Sequence, residues 1–135
     1  MSAASDYLEN KLLDHTLGNT AFTQPSSLYL GLFTNDSGNA ATNLEAGTLT
    51  DEISGGSYAR ETVAFSAASS GSASTSATVT FTAATANWGT ITHVAVLDAS
   101  SAGNVLFWGA VTTSKTIESG DTFQISSGNL TISLA

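Results

Sequence analysis

Two histidines, eleven carboxylates and an abundance of serines are the raw material from which a catalytic or metal site in this chain would have to be built. A metal centre needs imidazoles and carboxylates at fixed short spacings. His15 and His93 stand far apart, and no H-x-H, H-E-x-x-H or calcium-loop pattern surrounds either. With no cysteine in the sequence, thiolate ligands and disulfides are absent as well. A serine nucleophile would be marked by G-x-S-x-G, which does not occur. Nothing points to a particular glycosidase-type carboxylate pair. Gly55, Gly56 and Gly71 are too isolated to cradle phosphate, and neither the P-loop nor the dinucleotide pattern is present. No catalytic residue, no metal and no cofactor is expected. His93, between Thr92 and Val94, reads as a partly buried histidine hydrogen-bonded in a sheet. Asp98, at a strand end, reads as an Asx turn.

The aromatic residues offer a second chemistry. An indole presents a flat apolar face and one N–H donor, which suits stacking on a pyranose ring. Trp88 lies beside a turn and is the tryptophan expected to be exposed; with Tyr58 it forms the candidate glycan contact. Trp108, inside FWGAV, reads as core or interface. Arg60 is the sole arginine, and its neighbour Glu61 faces the other side of the strand, so a partner must come from another strand or subunit.

Composition narrows the function classes. Only 10% of the 135 residues are charged, the formal net charge is −8, and Lys11, Arg60 and Lys115 are the only cations. Nucleic-acid affinity comes largely from Lys and Arg neutralising phosphates, so nucleic acid is not an expected partner. No run approaches the ~20 apolar residues that span a bilayer. The N-terminus lacks a basic region followed by an apolar one, and the expectation is a soluble chain made in a cytoplasm, with no membrane insertion. The sequons at Asn35 and Asn129 are read as chance matches.

The elements that must position these residues follow a simple plan. Ser5 is a helix N-cap, Asp6 and Glu9 suit the first turn, and Gly18-Asn19 is a stop. This predicts a helix over about residues 5–17 with Leu8, Leu12 and Leu13 on its apolar side. After Pro25 the pattern turns to short strands: residues 28–33, 58–65, 77–82, 91–98, 105–111, 113–117, 122–125 and 130–134. Residues 34–56 read as a long polar loop and residues 66–78 as a loop or weak edge. Regular short strands with Gly, Asn and Ser turns predict an antiparallel β-sandwich of about 7–8 strands over residues 27–135, preceded by one helix, in a single domain spanning residues 1–135.

The hairpin over residues 91–113 is apolar on both faces. Ile91, His93, Ala95 and Leu97 are expected on one side and Val94 and Val96 on the other; Val105, Phe107 and Val111 alternate with Leu106, Trp108 and Ala110. A strand with one wet face would alternate with polar residues, so both faces need cover, and another subunit is the expected second cover. The candidate assembly interface is therefore Leu8 and Leu12 on the helix with Val94, Val96, Leu106 and Trp108 on the hairpin.

Four segments in order, SDYLENKLLDHTLGNTAF, SLYLGLFT, GGSYARETVAFSAAS and VTFTAATANWGTITHVAVLDASSAGNVLFWGAVTTSKTIESGDTFQI, cover nearly the whole chain. In that order and spacing they resemble small tailed-bacteriophage virion proteins commonly labelled phage tail fibre protein. The resemblance implies a non-enzymatic structural part of the virion. Its partners would be copies of itself and other capsid or tail proteins, and it would serve as a tail-fibre component or a head-decoration (cement) protein. A carbohydrate-binding module for host-surface glycan is the alternative.

Overall fold

The computed structural model describes residues 2–134. Its elements are β1 (Ala3–Ala4), α1 (Asp6–Thr16), β2 (Tyr29–Phe33), α2 (Ala40–Glu45), β3 (Glu61–Thr62), β4 (Ser72–Ser74), β5 (Val79–Thr80), β6 (Gly89–Leu97), β7 (Val105–Ile117), β8 (Gln124–Ile125) and β9 (Thr131–Ser133). A five-stranded antiparallel sheet of order β1-β7-β6-β2-β3 faces two two-stranded sheets, β4-β9 and β5-β8, across the main core. This is the expected helix plus sandwich.

Ser5 caps α1 as the sequence indicates. Its Oγ accepts from the Leu8 N–H and donates to the Val105 carbonyl, so the helix start is fixed to β7. Leu8 packs with Ala4 and Leu106, and Gly18, at φ +83°, ends the helix in a conformation that suits glycine.

The hairpin strands carry two irregularities that alternation does not reveal. Between Ile91↔Lys115 and His93↔Ala110 the register shifts, leaving residues 111–114 without partners across β6. Ile91 is thereby turned onto the face of Val94 and Val96, not that of His93 and Ala95. A second shift separates Val96↔Phe107 from Leu97↔Val105. It places Val105 with Trp108 against one cluster and sends Leu106 beneath α1. A bulge inserts residues into one strand and reverses the faces that follow.

The second apolar face is covered from within the chain. The segment expected to be a polar loop contains α2, whose Ala40 and Leu44 are buried, and Leu44 packs on Phe33, Ala95, Leu97 and Val105. Asp51 closes this loop by accepting from the Ser37 N–H (2.9 Å) and Oγ–H (2.6 Å), and Asn35 Oδ1 takes the Ala40 N–H (2.9 Å). A subunit is not needed for that face.

Candidate assembly surfaces

Three places gather the chemistry-bearing residues. The first is a buried knot around Arg60. Its Nε and Nη2 donate to Glu52 Oε1 and Oε2 at 2.6 and 2.7 Å, and Nη1 donates to the carbonyls of Ala99 and Ala102 at 2.7 and 2.8 Å. Tyr58 Oη donates to Glu52 Oε1 and accepts from the Leu32 N–H, each at 3.0 Å. Burial pushes the Tyr58 phenol well above its ordinary range, and the Glu52 hydrogen bonds raise the Arg60 guanidinium further. The knot ties the α2-bearing loop, the segment before β3 and the β6–β7 turn together. The partner of the sole arginine thus comes from the long loop of its own chain. In the same turn, Asp98 accepts from the Asn104 N–H (2.7 Å) and Nδ2 (2.9 Å), as an Asx-type closure does.

The second place is acidic. Carboxylate oxygens of Asp6, Glu9 and Glu45 lie within 4.8 Å of one another at the surface. Glu45 Oε2 also accepts from Trp108 Nε1 at 2.6 Å, which pins α2 to β7.

His93 is half-buried with its Nδ1 2.8 Å from Thr92 Oγ1, as expected. Desolvation holds it below its ordinary 6.5, and the charge of Asp51 opposes this in part. Asp51 itself sits below the ordinary 3.8, chiefly through the Ser37 hydroxyl. Both shifts make acid destabilising. Below pH 6.5 the unfolded chain takes up a proton that folded His93 resists, and below 3.8 the same holds for Asp51. The urea midpoint is expected to fall between pH 7 and 5, less steeply in His93→Asn, and again below pH 4. A midpoint flat from pH 7 to 5 would remove the His93 contribution.

The third feature is a pair of open surfaces. A groove of about 410 Å³ lies between α1 and the β4-β9 sheet, lined by Leu8, Leu12, Phe22, Leu28, Ile132 and Leu134 among others, with no charged side chain. Of the exposed large hydrophobic residues among those described, Leu134 lines this groove and Leu13 lies on α1, which walls it. A cleft of about 430 Å³ runs between β7 and the β8–β9 region.

The candidate interface residues are split by the fold. Val94, Val96, Leu106 and Leu8 are buried among the chain's own side chains, while Leu12 and Trp108 remain half-buried. Val94 and Val96 face Leu30 and Leu32 in the main core because their strand is central in the sheet. Of the candidate glycan contacts, Trp88 is 6% exposed, contrary to the expected exposure. Its Nε1 donates to the Gly56 carbonyl (2.9 Å) and its ring meets Tyr58 edge-on at 5.5 Å, so neither is presented as a platform. Sequence reasoning missed α2 and the Glu52–Arg60 pairing; the groove is walled on its helix side by Leu8 and Leu12, which the sequence places on the apolar side of α1.

These features define a small helix-plus-β-sandwich protein with an open apolar groove beside its N-terminal helix. Residues 3–133 match the family described as podophage GP4 fiber I protein gp80, and the chain belongs to that family. No curated protein matches it. Membership makes it a phage virion structural protein of fibre type, associated with other virion components. Among the described residues, no helix is long and apolar enough to cross a membrane.

Proposed function

We propose that this chain is a tail-fibre component that works without catalysis, holding neighbouring copies of itself and other virion proteins through its open surfaces. The observation that carries this reading is the uncharged groove beside α1, left uncovered by the chain itself. A concave, uncharged apolar groove is the kind of surface into which a partner's apolar side chains dock. The tail is chosen in this reading because the family is described as a fibre protein. Glycan recognition receives no support from Trp88 and Tyr58, whose polar atoms are already engaged within the chain.

Cryo-electron microscopy of whole particles tests the location. Density for this chain is expected on the tail alone. Density repeating over the icosahedral shell would replace this reading with capsid decoration, and absence from particles would end both.

A further inference from the structure

Strand β7 lacks a neighbour along most of one edge. β1 pairs only with Phe107 and Trp108, and the Ser5 N–H takes the Leu106 carbonyl. Beyond that point, residues 109–116 have β6 on one side and no strand on the other among the described residues. Residues 111–114 bulge away from β6 too, so among the described residues they have no strand partner on either side. The cleft of about 430 Å³ opens along this edge. Trp108, Gly109, Ala110, Val111, Thr112 and Thr113 all line it. Val94, Ala95 and Val96 of β6 line it as well, so the cleft reaches from this edge in beneath the sheet. The facing wall is Phe123, Ile125, Leu130 and Ile132, from β8, β9 and their flanks, and each of those strands has a single partner.

We propose that this edge receives β7 of a second copy, antiparallel, about a two-fold axis that joins the two five-stranded sheets. The inference deepens the self-association part of the function proposed above and rests on it. Charge selects the occupant. In a chain of net charge −8, no carboxylate lines the cleft, and Lys115 is its one charged residue. Two anionic copies therefore meet here with little repulsion. Symmetry selects the geometry, because a two-fold axis pairs a strand with itself in the antiparallel sense. An axis near Thr112 and Thr113 sets Lys115 apart from its own copy, so no like charges face one another.

Edges that resist association carry several charges, proline or a bulge. Residues 109–116 hold no proline and one lysine. The bulge residues Val111, Thr112 and Thr113 form a wall of the cleft, and in this position they shape the receiving site.

The test is sedimentation and light scattering of the full chain across a wide concentration range. The wild type is expected to be a dimer. Thr113→Pro removes an edge N–H at an exposed position and is expected to weaken the dimer roughly tenfold or more with melting unchanged. Thr112→Lys, also exposed, gives the same outcome without a backbone change should the proline variant fail to fold. Leu134→Asp, exposed and lining the groove beside α1, is the control and should leave the dimer intact. A monomeric wild type, or a dimer unaffected by both edge variants, overturns the proposal. A dimer dissolved by Leu134→Asp and not by the edge variants overturns it too, while self-association stands with the groove as its seat. Placement of the chain in the particle is decided separately, by the density described above.

Discussion

Arg60→Ala is expected to lower the unfolding free energy by about 3–5 kcal/mol, the range found when one member of a buried ion pair is removed. The reason is the number of groups stranded at once. The Arg60 side chain is 2% exposed and that of Glu52 16%, so truncation leaves a largely desolvated carboxylate without its counter-charge. The carbonyls of Ala99 and Ala102 lose the same donor. That turn already holds Ala102 at φ +50°, a left-handed conformation that a non-glycine residue rarely adopts. Arg60→Lys should recover little, because an ammonium cannot grip both Glu52 oxygens and reach the turn carbonyls together. Replacing both Arg60 and Glu52 with methionine should cost less than Arg60→Ala alone, since no charge is then left buried. Urea denaturation of the four proteins checks the ordering. A loss under about 1 kcal/mol for Arg60→Ala, the range of solvated pairs, would show the knot to be peripheral.

The legible parts of this fold are those whose signal is local. Ser5, Asp6, Glu9 and Gly18 mark the ends of α1 because capping is a matter of a few neighbouring residues. The apolar runs of β2, β6 and β7 announce themselves because central strands are buried on both faces. Helix α2 was illegible: six residues, AATNLE, with Ala40 and Leu44 as its buried positions and no side-chain N-cap. Nothing in such a segment favours a helix until the sheet face offers it a surface. The bulges were equally hidden. A register shift is decided by what both strands must bury, and β7 was divided near residue 113 where the structure has one 13-residue strand with residues 111–114 looped out.

The candidate surfaces follow the same rule. Leu8 and Leu12 were correctly placed on an apolar helical side, and both line the groove. That the groove stays open depends on where β4 and β9 settle, and those strands are Ser- and Thr-rich with little pattern of their own. Arg60 stood out as the sole arginine, yet Glu52 lies in the loop that α2 folds back, a tertiary fact. Doubly apolar strands correctly signalled cover on both faces; that the cover is α2, and not a subunit, required the structure.

Trp88→Ala is expected to cost about 3–5 kcal/mol, the range for emptying a buried aromatic site, and to abolish no ligand contact. Its ring closes one end of the main core beside Tyr58, which stacks on Phe81 at 6.2 Å. Its backbone N–H bonds the Ile117 carbonyl at 2.9 Å, fixing the segment that enters β6 against the end of β7. Gly56 supplies the acceptor for Nε1 and also the room: at φ +58°, a Cβ there would lie 2.8 Å from Nε1. Gly56→Ala should therefore destabilise through both backbone strain and this overlap. Trp88→Phe keeps most of the apolar bulk and loses the indole hydrogen bond, worth about 1 kcal/mol. The distinction bears on function, because a glycan assay with Trp88→Ala would lose signal through unfolding alone. Melting curves recorded beside glycan-array binding separate the cases. A fully stable Trp88→Ala protein that no longer binds a glycan would restore the tryptophan as a contact residue, whereas cooperative destabilisation in the order Trp88→Ala, then Trp88→Phe, assigns it to the core.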